Sequence, residues 1–246
     1  MSVLRIDHLS HSFGSLIVTN DVSMSIEDGE RHVIIGPNGA GKTSLINQIG
    51  GQLRPSAGRI LLGNTDITGW PPHRISRMGL ARTFQRNNLF QNLSVIENLR
   101  LAVQARFGNP LNFITPVSRL RYLHNHVEQL MQRVHLDQGL RLVRELSYGE
   151  QRQLEVGIAL AAEPKLLLLD EPTSGMSPAE TGQMINLIAN LPRNLSILMI
   201  EHDMKVVFSI SDRITVLNRG EVLATGTPIE IQTNNRVREV YLGISP

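Results

Sequence analysis

One stretch decides the fold, Gly36-Pro37-Asn38-Gly39-Ala40-Gly41-Lys42-Thr43, and it matches the pattern G-x-x-x-x-G-K-S/T. It follows Val33-Ile34-Ile35, which predicts a short buried strand, and it leads into Thr43 to Ile49, which predicts a helix. Glycines let backbone N–H groups curl around an anion, and the helix dipole favours negative charge there. Lys42 adds a point charge for phosphate oxygens, and Thr43 adds a hydroxyl for Mg²⁺. The stretch therefore predicts a nucleotide-phosphate site.

A second apolar run ends in two acids, Leu166-Leu167-Leu168-Leu169-Asp170-Glu171. Parallel α/β sheets bind ligands at the carboxyl ends of their strands, which is where these acids would lie. Asp170 can bind Mg²⁺, and Glu171 can orient and deprotonate an attacking water. An acid at the end of an apolar strand is common by itself. Because the predicted phosphate loop, residues 36–43, lies upstream, a catalytic pair is the stronger interpretation of these two acids.

The rest of the chain alternates strand and helix signals, which favours a mostly parallel α/β sheet. Further strands are predicted at 22–26, 59–62, 196–200, 214–217 and 222–223, and further helices at about 149–162, near Pro178 and from Asp203. From Ser94 to about Gln138 the apolar residues recur at helical spacing. We therefore expect a catalytic core at 1–86 and 164–246 with an inserted helical subdomain at about 87–163.

Composition limits the class of protein. The chain has 246 residues, a net charge of +2 and no cysteine, which fits a reducing compartment. It shows neither a signal peptide nor the ~18 apolar residues needed to cross a bilayer, so we expect a soluble intracellular protein. The pI of about 9.3 arises because only three of the 24 basic residues are lysines and little titrates at high pH, so no nucleic-acid partner is expected. The basic stretch from Arg74 to Arg86 is either a solvated face or a face toward a partner or phosphate.

Four weaker signals accompany these motifs. Ser147 and Gly149 stand at a predicted helix start, as an anion-binding end or as an ordinary helix cap. Gln85 ends the strand-like Leu80 to Phe84. His202 follows the strand at 196–200, and an unremarkable strand-end histidine would read the same way. Phe13, taken alone, reads as a core residue.

The order and spacing of Gln85, Ser147 to Gly149 and His202 behind the phosphate loop resemble those of the nucleotide-binding subunits of ABC transporters, over essentially the whole chain. The resemblance implies a P-loop NTPase core with a mostly parallel sheet, an antiparallel β edge subdomain and the helical insertion. It implies that ATP is bound by Phe13, Gly36, Pro37, Asn38, Gly39, Ala40, Gly41, Lys42, Thr43, Ser44, Gln85, Ser147, Gly149 and Gln151. It implies Thr43, Gln85 and Asp170 around Mg²⁺, Phe13 stacked on adenine, and Glu171, His202 and Lys42 in catalysis.

The same resemblance implies an assembly. Two such subunits, identical or homologous, would close head to tail, with each ATP between the phosphate loop of one copy and Ser147–Gly149 of the other. Transmembrane permease subunits would complete a transporter at the cytoplasmic face of the membrane, and a solute-binding protein would deliver substrate to them. The cofactors implied are ATP and Mg²⁺.

Two departures from the family pattern stand out. Tyr148 replaces the usual glycine between Ser147 and Gly149, and Ser177-Pro178 follows Ser174-Gly175-Met176 where an aspartate is usual. The resemblance assigns Leu146 to Gln151 as the family's signature motif, and Tyr148 makes that motif bulkier. The second departure affects the segment through which paired sites of the family communicate. Neither touches Lys42 or Glu171, so we expect an active ATPase.

Several segments look like the ATPases of branched-chain amino acid importers. They are Ala81 to Gln85, the insertion around 98–116, Glu201 to Met204, Ser211 to Ile214, Gly226 to Pro228 and Val240 to Gly243. Urea or amide importers have closely similar subunits, and the lipopolysaccharide-exporting ATPase shares the Leu-Ser-Tyr-Gly signature. Two other classes stay open behind these: a soluble ABC protein acting on DNA or ribosomes, and a small-molecule kinase. The first would need a coiled coil or a second cassette, and the second would not need Ser147 to Gly149.

Overall fold

The computed structural model describes residues 2–83, 89–107 and 121–242. The strands in those ranges are β1 (Ser2–Phe13), β2 (Leu16–Glu27), β3 (Arg31–Ile35), β4 (Ala57–Leu62), β5 (Thr65–Asp66), β6 (Leu80–Arg82), β7 (Leu166–Asp170), β8 (Ser196–Ile200), β9 (Arg213–Asn218) and β10 (Glu221–Gly226). The helices there are α1 (Lys42–Ile49), α2 (Pro72–Arg77), α3 (Val95–Phe107), α4 (Arg121–Arg133), α5 (Tyr148–Leu160), α6 (Pro178–Asn190), α7 (Met204–Ile210), α8 (Pro228–Thr233) and α9 (Asn235–Leu242). None of these helices is both long enough and apolar enough to span a bilayer.

The strands form two sheets. One is antiparallel and has the order β2-β1-β4-β5. The other has the order β10-β9-β3-β8-β7-β6, in which every pairing is parallel except that of β10 with β9. This confirms the predicted α/β class, with a mostly parallel sheet and a separate antiparallel sheet.

Three neighbouring strands at the centre of the parallel sheet position the site. Every residue of β3, β7 and β8 is buried, as their continuous apolar runs predict for strands covered on both faces. Ile34 and Asp170 both pair with Ile200, so the three strands end at the same level. The segments that follow them, beginning at Gly36, Glu171 and Glu201, therefore start from one edge of the sheet.

A single apolar core joins the antiparallel sheet to one face of the parallel sheet. It contains Leu45, Ile46 and Ile49 of α1, and alternate residues of the central strands such as Leu166 and Leu168. Burying a side chain of this size stabilises the fold by about 1.5–3 kcal/mol. The apolar face of α1 thus packs in this core. The first turn of the helix, which carries Lys42 and Thr43, adjoins the loop that precedes it.

The chain divides into two units, neither of them contiguous. The first holds Met1–Arg82, Lys165–Glu171 and Pro192–Pro246, with both sheets, and the second holds Thr83–Pro164 and Pro172–Leu191. In the second unit α3 packs on α4 and α5, and α6 packs on α5. In this division 172–191 groups with the helices and not with the core expected at 164–246, since α6 packs on α5.

β1 is a strand of 12 residues that the pattern of apolar and polar residues does not predict. Its pairing with β2 shifts register at several points, and His8 adopts a left-handed conformation with φ 52°. These irregularities break the alternation that marks a half-buried strand, so that Val3 and Leu4 are buried side by side.

Candidate active site

The phosphate loop connects β3 to α1, as predicted. Gly41 caps α1 in a left-handed conformation with φ 97°, and among the described residues neither a side-chain cap nor a first-turn acid serves that end. The first N–H groups of a helix have no partner within the helix, and they attract anions. Thr43 is exposed and Ser44 is half-buried at this turn, so both hydroxyls are accessible. The end of α1 is therefore suited to phosphate.

Two loop glycines are required by close backbone packing as well as by the turn. A Cβ atom at Gly41 would overlap the carbonyl oxygen of Val18, and one at Gly36 would overlap that of Leu217. At Gly41 the positive φ adds strain for any other residue. Larger side chains at these positions would deform the loop even without bound nucleotide.

Lys42 is largely buried behind the loop. Its ammonium group donates to the carbonyl oxygens of Gly36 (2.7 Å) and Pro37 (3.0 Å). Burial lowers the pKa of Lys42, and the negative charges of Glu171 and Asp170 oppose that shift. A third N–H donor stays available for a phosphate oxygen.

Asp170 ends β7 with 2% of its surface exposed. One carboxylate oxygen accepts a bond of 3.1 Å from Arg82, while Oδ1 is buried and has no hydrogen-bond partner within the described part of the chain. An unpartnered buried carboxylate oxygen is costly unless a cation or a donor meets it. The residues present therefore fit a Mg²⁺ ion shared with phosphates, which needs only one or two carboxylates.

Arg82 is the residue at this site that sequence reasoning missed. Besides Asp170 it binds the side-chain oxygens of Asn47 (2.8 Å) and Gln52 (3.0 Å). Burial lowers the pKa of Arg82, and Asp170 counteracts the shift. Its side chain is only 9% exposed, so a solvated face is excluded for this member of the basic stretch. The available signal was its place in the strand-like Leu80 to Phe84; the structure pairs this strand, β6, with β7, which carries Asp170.

Glu171 follows directly, with a left-handed φ of 48°. Its N–H donates to the carbonyl of Ile200 at 3.0 Å, which fixes the backbone in this conformation. Such strain costs about 1–3 kcal/mol in a residue other than glycine and concentrates at functional sites. The strain supports a functional interpretation of Glu171 over that of a chance surface acid.

His202 lies beyond β8, at the same edge of the sheet. Its side chain is 59% exposed, and its N–H donates to Glu201 Oε2 at 3.1 Å. Glu201 itself is completely buried, and no local pattern of residues singles it out. His202 is accessible to a ligand at this edge, which a packed strand-end histidine would not be.

Phe13 lies at the end of β1 and is 54% exposed. Its ring meets that of His11 edge-on, with 4.7 Å between the ring centroids. The alternative of a core residue is therefore wrong. Gln85, another predicted nucleotide contact, lies outside the described residues.

The signature residues belong to the second unit, where Ser147 caps α5. Its hydroxyl accepts a bond from the Glu150 N–H (3.2 Å), and the Glu150 carboxylate accepts one from the Ser147 N–H (2.7 Å). The helix-cap alternative is thus confirmed. It does not exclude an anion site, because the hydroxyl keeps its donor for another group. Gln151 donates to the carbonyl of Leu146 at 3.2 Å and so fixes the start of the signature.

Glu180 of α6 takes the donors that Ser147 and Gly149 have left. Its Oε1 accepts from the Ser147 hydroxyl and the Gly149 N–H, both at 3.0 Å. Its Oε2 accepts from the N–H (3.0 Å) and the hydroxyl (2.8 Å) of Ser177. Ser177 caps α6, a task that the usual aspartate performs equally well, which explains this departure locally.

Tyr148 is directed along its own helix. Its hydroxyl accepts a bond of 3.0 Å from Arg152, one turn further, and Arg152 pairs with Glu155 at 2.9 Å. Both charged residues are largely buried, and burial raises the pKa of Glu155. The ring of Tyr148 is therefore anchored on its own helix, and it takes neither the Ser147 hydroxyl nor the Gly149 N–H, which both bond to Glu180.

Glu180 should make folding stability depend on pH. Hydrogen bonds from Ser177, then from Gly149 and Ser147, lower its pKa from 4.5 to about 2. Its contribution is therefore fully present above pH 4.5, the value in the unfolded chain, and is lost as the pH falls towards 2. Urea unfolding should show that the stability lost in Glu180→Gln shrinks between pH 5 and pH 3. A difference independent of pH would mean that the charged carboxylate is not its source.

Comparison with known proteins gives consistent matches. A family model described as "ABC transporter" matches residues 19–174, and one described as "Branched-chain amino acid ATP-binding cassette transporter" matches residues 221–244. The chain is 40% identical over 251 residues to the high-affinity branched-chain amino acid transport ATP-binding protein BraF of Pseudomonas aeruginosa, with 98% of each chain covered. It is 32% identical over 244 residues to the lipopolysaccharide export system ATP-binding protein LptB of Haemophilus influenzae, covering 99% of this chain and 98% of LptB.

A solved structure also matches this chain over nearly its whole length. It is the ADP conformation of MJ1267, an ATP-binding cassette of an ABC transporter, at a TM-score of 0.85 and 30% identity. The match covers 99% of this chain and 100% of that one. The likeness therefore extends over both units, including the residues around the phosphate loop and the start of α5.

Proposed function

The chain belongs to the ABC transporter family and is an ATPase, and from that premise we propose that it powers the uptake of branched-chain or other hydrophobic amino acids. The observation that carries the choice of substrate is the match of residues 221–244 to the branched-chain family model. That segment lies outside the phosphate loop and the acid pair, which every ABC ATPase needs. The higher identity to BraF than to LptB, 40% against 32%, supports the same choice.

At the phosphate end of the site we assign binding and charge neutralisation to the loop. Backbone N–H groups at the start of α1 and the remaining donor of Lys42 would bind the β and γ phosphates. Asp170, Thr43 and Gln85 are the residues that would hold Mg²⁺, which neutralises phosphate charge when bound. Arg82 positions Asp170 from behind through its bond of 3.1 Å. Phe13, exposed at the end of β1, is available to stack on adenine.

Glu171 and His202 would carry the chemistry. A carboxylate beside the terminal phosphate can accept the proton of an attacking water as the new P–O bond forms and the bond from the γ-phosphorus to the bridging oxygen breaks, with ADP leaving. The constrained backbone of Glu171 holds its carboxylate at the same sheet edge as the loop, and the exposed ring of His202 is accessible to the terminal phosphate. We assign the general base to Glu171 and phosphate sensing to His202.

Ser147, Gly149 and Gln151 would act on the nucleotide of a second subunit, identical or homologous. The core at 1–86 and 164–246 would bind ATP, and the insertion at about 87–163 would present the signature. Transmembrane permease subunits at the cytoplasmic face of the membrane, supplied by a solute-binding protein, would complete the importer. Nothing in this proposal calls for nucleic acid.

Transport itself tests the choice of substrate. Cells that lack this chain should lose ATP-dependent uptake of labelled leucine, isoleucine and valine, and the wild-type chain should restore it, whereas Lys42→Ala should not. Loss of urea or amide uptake with leucine uptake intact would transfer the assignment to those related importers. Normal uptake of all of these, with lipopolysaccharide retained in the inner membrane, would favour the export system.

The trans role of Ser147 has its own test. Ser147→Arg should bind ATP normally as a monomer, because the phosphate loop is untouched, yet it should fail to dimerise and to hydrolyse ATP. Thr227→Arg is a matched control, since Thr227 is an exposed cap with the same reciprocal glutamate, at α8. Each change removes a cap worth about 1 kcal/mol. Equal ATPase activity in the two variants would reduce Ser147 to a helix cap.

A further inference from the structure

We propose that the Glu180 carboxylate is an internal competitor for the phosphate of a second subunit's nucleotide. It binds the two donors at the start of α5 and has to leave them before two ATP-loaded subunits can close. The inference rests on the proposed function of Ser147 and Gly149 as the end that faces the partner's ATP. It adds a residue, Glu180, that none of the motifs includes.

The competition follows from the number of donors. The Ser147 hydroxyl has one hydrogen, and so has the Gly149 amide. Both point to the same oxygen of Glu180, each at 3.0 Å. A phosphate oxygen of a partner's ATP would need these two hydrogens, and its negative charge would be repelled by the carboxylate. The two anions therefore exclude each other.

The second carboxylate oxygen makes release possible without unfolding. Oε2 is bonded to the N–H and the hydroxyl of Ser177, at the start of α6. Glu180 can give up its bonds to α5 and keep those to its own helix, whose dipole also favours a negative charge. The carboxylate thus links the starts of α5 and α6. Its bonds to α5 compete with phosphate, whereas its bonds to Ser177 do not.

Gly149 is shaped for this contact. A Cβ atom there would lie 2.7 Å from both Cγ and Oε1 of Glu180. Any other residue at position 149 would push the carboxylate away from α5 before a phosphate did. The glycine of the signature therefore has a role within one subunit as well as the role proposed between two.

Other glutamates show that capping does not require this bridge. Glu97, Glu150 and Glu230 each bond to the N–H of their own N-cap residue, at Ser94, Ser147 and Thr227. Within the described ranges, Glu180 is the member of this set whose other oxygen reaches the start of a second helix. Removing a capping glutamate elsewhere should therefore not affect dimer closure.

ATP-driven dimerisation measures the effect. In a Glu171→Gln parent that retains ATP, Glu180→Gln keeps the shape of the side chain and its bonds to Ser177, but it loses the charge. We expect the dimer dissociation constant in ATP and Mg²⁺, from sedimentation equilibrium, to fall on the order of 10-fold. Glu230→Gln in the same parent removes an equivalent capping carboxylate and should leave that constant unchanged.

The outcomes separate the inference from its premise. An unchanged or weaker dimer in a Glu180→Gln protein that is still folded at the temperature of the measurement would overturn the competitor role and leave a structural clamp. Glu180→Asp guards against a pure charge effect, because it keeps the charge with a shorter reach. It should tighten the dimer too, and no tightening there would contradict the contact. A parent that stays monomeric in ATP would remove the composite site, and the competitor role with it.

Discussion

Glu171→Gln should lower ATP turnover by about 10²- to 10⁴-fold, the range expected when a general base is removed, and it should leave ATP binding intact. The amide can still accept a hydrogen bond from water, but it cannot take up the proton. ATP-loaded dimers should therefore accumulate, and size-exclusion chromatography with ATP and Mg²⁺ should show them. Single-turnover rates would report the loss in the chemical step directly.

Glu163→Gln is the matched control, because Glu163 is also a glutamate in the left-handed conformation, with φ 49°. It lies in the second unit, at the carboxyl end of α5, where its side chain is 57% exposed. The same change there should leave turnover unchanged. A Glu171→Gln protein that stays monomeric and turns over ATP at the wild-type rate would remove Glu171 from the role of base.

Lys42→Ala should weaken ATP binding by about 10- to 100-fold, since one charge-assisted contact to phosphate is lost. The side chain has two functions in the structure, because it also fastens the loop through the carbonyls of Gly36 and Pro37. Turnover at saturating ATP should fall as well, because the charge faces the group being transferred. Isothermal titration with ATP gives the affinity, and the ATPase rate gives the second effect.

Lys205→Ala serves as the control, since Lys205 is one of the other two lysines and lies exposed at the start of α7. Its loss should change neither affinity nor rate. Lys42→Met keeps the length of the side chain without the charge, and it should behave like Lys42→Ala. Unchanged ATP affinity in both Lys42 variants would contradict the assignment of the phosphate site.

The sequence predicts those parts of the site that are formed by residues adjacent along the chain. The phosphate loop, the acids after β7 and the histidine after β8 each follow an apolar strand, and the parallel pairing of these strands brings them to one edge. Arg82 and Asp170 are 88 positions apart, and Ser147 and Glu180 are 33 apart. Such contacts depend on which strands and helices become neighbours, so no local pattern reveals them.

The fold itself divides in the same way. Continuous apolar runs identify β7 and β8, whereas β1 escapes because its bulges interrupt the alternation of its buried residues. Tyr148 reads as an obstruction when it is compared with the family pattern. The structure shows its hydroxyl bonded to Arg152, one turn further along the same face of α5, so the ring has a local anchor.

The strand order of the parallel sheet delays the folding of the nascent chain during synthesis. Arg31 on β3 pairs with Ile197 on β8, roughly 170 residues later, and His32 pairs with Arg213 on β9. A ribosome adding about 5–20 residues per second needs about 8–30 s to make that distance. Throughout that interval β3 lacks both of its neighbours, so the backbone N–H and C=O groups along its two edges have no strand to pair with. The phosphate loop is among the first segments to be made, but it cannot be set in place until the last third of the polypeptide has emerged.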